Sequence, residues 1–171
     1  SQSLLASCCR TINFYPEVIR TAGRKVDVAL YPTPGLETYV TAAGGEKPGR
    51  TIFSQDGRCF TVIGQTLYEV TEATPTTGTL TSRGTLATDA NPATMTTNGD
   101  GGNQLAITCG DRLYIMGLSA PYTLTQVLAS GAFQVVMVDG RFVELDVTTS
   151  TIRISDLLAG LTGYAVSQSA Q

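Results

Sequence analysis

Two pairs of acids are the candidates for chemistry in this sequence: Glu69 with Glu72, and Glu144 with Asp146. Glycoside hydrolysis needs only two carboxyl groups flanking a sugar bond, so such pairs are the first place to look. Residues two apart on a strand share a face, however, and Glu144 with Asp146 is expected to form a solvated polar face, with Val143 and Leu145 turned the other way. The chain has no histidine. That removes the Ser-His-Asp triad, the Cys-His pair and imidazole metal ligation, the commonest routes to acid-base work near neutral pH. GxSxG, the Walker phosphate loop and GxGxxG are also absent, so the sequence predicts no catalytic residues and no nucleotide cofactor.

The remaining reactive types read the same way. Cys8, Cys9, Cys59 and Cys109 form no CxxC pair, and without histidine they complete no zinc set. Cys59 and Cys109 lie in apolar strand-like runs and are expected as buried free thiols of a reducing compartment, over a disulfide scaffold. NGDGGN (98–103) places oxygen donors between glycines but lacks the later glutamate of an EF-hand loop, so a glycine-rich turn is expected rather than a calcium site. Phe14, Tyr15, Tyr31, Tyr39, Phe53, Phe60, Tyr68, Tyr114 and Tyr122 could build a sugar-stacking platform; as most lie within strand patterns, core or inter-strand packing is the expectation.

The elements that hold these residues are β-strands. Of 171 residues, 42% are hydrophobic and 15% charged, enough apolar surface to offset the entropy of ordering one domain. Threonine is abundant, and its branched side chain suits a pleated sheet better than a helix. The net charge of -3 supplies no positive field for gripping nucleic acid. Basic residues crowd the first third, from Arg10 to Arg58, and leave the later part acidic; head-to-tail docking between copies and ordinary surface scatter both account for that. No stretch approaches the ~18 to 20 consecutive apolar residues of a membrane span. Ser1 is expected to be a processed, trimmed or incomplete beginning.

Strand and turn signals divide the chain into an N-terminal arm with the first strands (1–50) and a repeat region (51–171). In the arm, Pro16 disfavours helix and would interrupt a ladder. VDVALY and LETYVTA read as strands around a Pro34-Gly35 turn. Beyond residue 50, RTIFSQ, RCFTVIG and TLYEVT form a meander with turns at Asp56-Gly57 and Gly64-Gln65. A thin, threonine-rich stretch follows, expected as one or two weak strands or a linker. QLAITCGDRLYIMG then repeats RCFTVIGQTLYEV, Gly110 answering Gly64 and Leu113-Tyr114 answering Leu67-Tyr68, and FQVVMVDGRFVELDV supplies a third unit. DLLAGL offers a helical turn capped by Asp156, and SQSAQ reads as disordered. Units recurring every 40 to 50 residues are the mark of propeller blades. The sequence therefore predicts an all-β chain of antiparallel meander sheets resembling β-propeller blades. Two and a half blades cannot close a ring, so either further blades belong to a longer chain, the preferred expectation, or the units pack as a sandwich.

The ordered series RTINFYPEVI, KVDVALYPTPGLETYV and GRTIFSQDGRCFTVIGQTLYEV resembles the opening of the packaged-DNA stabilisation proteins of short-tailed bacteriophages, also described as tail nozzle or tail hub proteins. The residues that carry the likeness are Asn13, Phe14, Tyr15, Pro16 and Glu17, then Leu30, Tyr31, Pro32, Thr33, Pro34, Gly35 and Leu36. RGTL (83–86) and QLAITCGDRLYIM also look like that family's β-repeats. The resemblance implies a structural virion protein and not an enzyme, made in the bacterial host cytoplasm. It implies a hexameric ring below the portal and adaptor, touching other tail proteins, with packaged DNA passing through the lumen without sequence-specific contacts. A carbohydrate- or receptor-binding propeller module is the alternative.

Overall fold

A computed structural model describes residues 14–19, 27–33, 35–45, 47–89 and 91–169. The chain divides into two compact units, Ser1–Thr38 and Tyr39–Gln171. In the first, β1 (Phe14–Ile19) and β2 (Asp27–Pro32) pair antiparallel, from Phe14 opposite Pro32 to Ile19 opposite Asp27. The expected extended arm is, over its described part, one strand of a hairpin. Pro16 lies within β1 opposite Leu30; a two-stranded ribbon has only edge strands, where a missing N–H is tolerated. LETYVTA, read as a strand, is not one: 35–42 has no regular structure.

The second unit contains three four-stranded antiparallel sheets, each a simple meander. Sheet 1 is β3 (Gly49–Gln55), β4 (Arg58–Ile63), β5 (Thr66–Thr74) and β6 (Thr77–Thr85). Sheet 2 is β7 (Thr94–Thr97), β8 (Gln104–Cys109), β9 (Arg112–Gly117) and β10 (Leu124–Leu128), with the single helical turn α1 (Gly99–Gly102) between β7 and β8. Sheet 3 is β11 (Ala132–Val138), β12 (Arg141–Asp146), β13 (Thr151–Asp156) and β14 (Ala159–Ser169). NGDGGN thus holds the helical turn, whereas DLLAGL turns a hairpin between β13 and β14 instead of forming one. Ser167–Ser169, expected to be disordered, continue β14.

Turn chemistry sets the registers. Asp56-Gly57, Gly110-Asp111 and Asp139-Gly140 all have both residues at positive φ, the geometry whose twist matches the flanking strands. The turns also correct the phase of the repeat. Gly64 and Gly110 each join the second strand of a sheet to its third, while Asp139-Gly140, like Asp56-Gly57, joins first to second. The third unit therefore repeats RTIFSQDGRCFTVIG, not RCFTVIGQTLYEV. The threonine-rich stretch supplies the last strand of sheet 1 and the first of sheet 2, making whole sheets of what reads as two and a half.

The core lies in two layers, one on each face of sheet 2. Along β8, Leu105, Ile107 and Cys109 meet Phe60, Val62, Leu67 and Leu86 of sheet 1 and the loop after it. The intervening Ala106 joins Leu113 and Ile115 against Val135, Phe142 and Tyr164 of sheet 3. Period-two alternation thus fills both faces of one sheet, so its strands read as nearly continuous apolar runs. Each sheet has a forward face, toward the next sheet in chain order, and a backward face. The first strands β3, β7 and β11 run beside one another. They are stitched by Ala93 N–H to Arg50 O (3.2 Å), Val135 N–H to Thr94 Oγ1 (3.2 Å) and Thr108 Oγ1 to Phe133 O (3.0 Å). First strands gathered on one side, with sheets fanning outward, is a blade arrangement.

Candidate functional site: the seams between sheets and an open sheet face

The chain's buried charges sit where one sheet meets the next. Arg50, at the start of β3, has its side chain almost wholly enclosed. Its Nε donates to Asn91 O (2.9 Å), and Nη1 reaches Gly64 O (3.3 Å), Ala87 O (3.3 Å) and Cys109 Sγ (2.8 Å). Nη2 pairs with Asp89 (3.3 Å). A guanidinium has five N–H donors in a rigid fork, so one side chain satisfies carbonyls from the β4–β5 turn and the sheet 1–sheet 2 connection together. Cys109 is a free thiol; burial pushes its pKa up, against the opposing charge and hydrogen bond of Arg50.

Farther along the same seam, Glu69 accepts from Arg58 Nε (2.8 Å) and Arg83 Nε (2.7 Å). Arg83 lies 4.0 Å and Arg58 5.6 Å from the Tyr122 ring centre, and Arg58 Nη1 donates to Leu118 O (2.6 Å). Sheet 1 is thereby fastened to sheet 2 and the loop beyond β9. Burial pushes the Glu69 carboxyl up, but hydrogen bonds from two guanidiniums and their charges outweigh it and hold it below its ordinary value. Glu72 is exposed on β5, three positions on and so on the opposite face; the two acids do not converge.

The seam between sheets 2 and 3 reverses one expectation. Glu144 and Asp146 do share a face, but it is the buried one, with Phe142, while Leu145 is exposed on the other. Phe142 needs cover on that side, and Arg153, paired with Glu144 across β12–β13, supplies the countercharge. Arg153 contacts Asp146 directly and lies 3.6 Å from Glu144. Asp146 also accepts from Thr148 N–H (2.8 Å). Neither carboxylate oxygen of Glu144 accepts a hydrogen bond of ordinary geometry. Burial pushes its pKa up, only partly countered by the Arg153 charge and the nearby Phe133 backbone N–H. Tyr164 is raised likewise, by burial and then by the Glu144 charge, and its hydroxyl donates to Gly160 O (2.9 Å). Sealed between sheets, Glu144 and Asp146 have no room for a sugar between them.

Of the residues the sequence singled out, Asn13 and Pro34 lie outside the described residues. Phe14, Tyr15, Pro16, Glu17, Tyr31 and Pro32 are brought together in the β1–β2 hairpin. Tyr15 and Tyr31 face each other across it, rings stacked at 5.9 Å and 47% and 40% exposed. Gly35 and Leu36 follow in an exposed stretch. Arg50, Glu69, Glu144 and Arg153 were not singled out as seam residues. The one signal for them was a charge inside an otherwise alternating strand.

Among the described residues, nothing covers the forward face of sheet 3. Val136, Val138, Leu145 and Ile152 are between 37% and 52% exposed there, and Val143 lies among them in a shallow groove with Gln134. Among the described residues no group of three or more His, Cys, Asp or Glu could hold a metal ion, and no helix is long and apolar enough to cross a membrane.

No curated protein matches the chain. A family model does: phage stabilisation, described as bacteriophage P22 Gp10, beta-propeller, over residues 11–161. Three blade-like sheets and a match spanning most of the sequence agree, and the chain belongs to this family of phage structural proteins.

Proposed function

We propose that the chain is a structural component of a short-tailed phage tail, forming with further copies a ring below the portal and adaptor that retains and conducts packaged DNA. The observation that carries this reading is the family match across residues 11–161, joined to a body whose buried ionic groups fasten sheet to sheet. The partners are neighbouring copies, as a hexamer, and adjoining tail proteins. DNA contacts are non-specific, because a chain of net charge -3 has no excess of cations to hold phosphates and lets the duplex slide. Copies made in the host cytoplasm end in the virion. Electron microscopy of intact particles tests the proposal: density for the three-sheet body is expected in the tail below the portal. Particles whose tails lack it would refute the placement.

The exposed Tyr15–Tyr31 stack favours one second reading, a carbohydrate-binding face on the same particle, since paired rings suit stacking on a sugar. Binding on a glycan array, lost in Tyr15→Ala and Tyr31→Ala, is the result it requires.

A further inference from the structure

We infer that the seam between sheets 2 and 3 is a joint: sheet 3 parts from sheet 2, favoured by the buried Glu144 carboxylate, while sheets 1 and 2 stay together. The inference rests on a comparison of the two seams and is independent of the tail reading. It holds whatever packs against the far face of sheet 3, because a further sheet there would move with it.

Side chains of sheet 1 reach across to sheet 2 and lock there. Arg50, paired with Asp89, donates to Cys109 Sγ on β8 (2.8 Å), and its carbonyl accepts Ala93 N–H (3.2 Å). Arg58, held by Glu69, donates to Leu118 O beyond β9 (2.6 Å). Arg83, held by the same carboxylate, lies 4.0 Å from the Tyr122 ring centre. Thr97 of β7 donates to Gln55 of β3, and Leu124 of β10 lies where a Cβ on Gly84 of β6 would stand. The seam is thus fastened from first strand to last, and its bonds from guanidiniums are the stronger, charge-assisted kind.

No cation of sheet 3 reaches a strand of sheet 2 among the described residues. Arg153 spends its guanidinium on Glu144, Asp146 and Ser130 O, and Arg141 donates to Ser155 O. The bonds that do cross are neutral: Ala132 N–H to Asp111 O (3.1 Å), Val135 N–H to Thr94 Oγ1 (3.2 Å), Thr108 Oγ1 to Phe133 O (3.0 Å) and Gly160 N–H to Gln104 Oε1 (2.7 Å). The apolar layer is thinner along β8 as well. That strand turns Leu105 and Ile107 toward sheet 1 but Ala106 and Thr108 toward sheet 3, and smaller side chains bury less apolar surface.

Glu144 then tips the balance. It is fully buried in this seam, and neither of its oxygens accepts a hydrogen bond of ordinary geometry. A carboxylate so placed regains its hydration once sheet 3 parts from sheet 2, whereas Glu69 in the other seam already accepts from two guanidiniums and gains little by opening. Each sheet's own ladder survives the movement, so the body yields between sheets without unfolding a strand.

Amide hydrogen exchange of the 171-residue chain at pH 7, resolved by NMR, tests this through the amides that bridge the seams. After correction for intrinsic rates, Ala132, Val135 and Gly160 N–H should exchange about 10-fold or more faster than Ala93 N–H, while amides inside the β12–β13 ladder stay protected. Glu144→Gln removes the charge and keeps the shape; it should slow exchange at those three positions by about 5-fold. Equal protection at the two seams, or faster exchange at Ala93, would overturn the inference. So would exchange of the β12–β13 ladder together with the three bridging amides, which means that sheet 3 unfolds instead of parting, or exchange at the three that Glu144→Gln leaves unchanged or quickens. Should the Gln variant fail to fold by circular dichroism, the wild-type comparison of the two seams decides alone.

Discussion

Arg153 on β13 stands directly across the ladder from Glu144 on β12, its guanidinium 3.6 Å from a fully buried carboxylate that accepts no hydrogen bond of ordinary geometry. Asp146 holds the same guanidinium in closer contact. One cation therefore serves two acids, and Glu144 is the one left short.

Glu144 should cost stability at neutral pH. Its folded-state pKa is raised by burial, so the folded chain holds this proton more tightly than the unfolded one. The resulting stabilisation is complete below the unfolded carboxyl pKa of ~4.3 and is lost as pH rises through the folded value. Glu144→Gln keeps the shape without the charge and leaves Asp146 paired with Arg153. It should be more stable than wild type by ~1 kcal/mol at pH 7, with the advantage shrinking toward pH 4. Urea unfolding across that range reads it; a Gln variant weaker at pH 7 would show that Arg153 needs both acids.

Glu69 should behave oppositely. Two guanidiniums hold its pKa below the ordinary value, so its contribution is present above the unfolded pKa and lost as pH falls through the folded one. Glu69→Gln strands Arg58 and Arg83 in the seam between sheets 1 and 2. A loss of ~2 kcal/mol at pH 7 is expected, disappearing in acid, where the wild-type carboxyl is itself protonated. A loss independent of pH would mean that shape, not charge, is what Glu69 supplies.

Arg50→Lys tests whether a fork or merely a charge is required. An ammonium cannot reach Asn91, Gly64, Ala87, Cys109 and Asp89 together, so several buried acceptors lose their donor. A fall of ~2 to 4 kcal/mol in urea unfolding is expected. A near-neutral result would assign the connection's stability to the backbone bond from Ala93 to Arg50 O.

The strands and turns were legible because their signals are local. Asp56-Gly57 and Asp139-Gly140 announce hairpins by residue type, and Phe60, Leu67, Leu113 and Phe142 mark strands by alternation. Which face of a strand goes inward is not local. β12 reads Arg-Phe-Val-Glu-Leu-Asp, and its letters favour a core of Val143 and Leu145; sheet 2 supplies the cover on the other side, and Arg153 makes burial of the acids tolerable. LETYVTA misled for a related reason. It has a strand's composition, but its partner is one backbone group at Gly78 and not a ladder. The seam arginines could not be told from surface charges, since their acceptors include carbonyls as far as 60 positions away.

Gly78→Ala tests how residues 39–48 are held against sheet 1, where Gly78 N–H donates to Tyr39 O (3.0 Å) and Gly64 N–H to Pro48 O (2.9 Å). A Cβ there would stand 2.3 Å from the Tyr39 ring, far inside contact distance, so the ring must leave and the segment lose its anchor at that end. The strand itself tolerates alanine, because Gly78 is not at positive φ. Protease cleavage within residues 39–48 should therefore rise several-fold while the sheets' own unfolding shifts by less than about 1 kcal/mol, this being an exposed edge strand. Unchanged cleavage would mean that the Gly64 and Pro48 contact holds the segment by itself. Cleavage rising together with a large stability loss would make residues 39–48 part of the core of sheet 1, its cover instead of a strap across it.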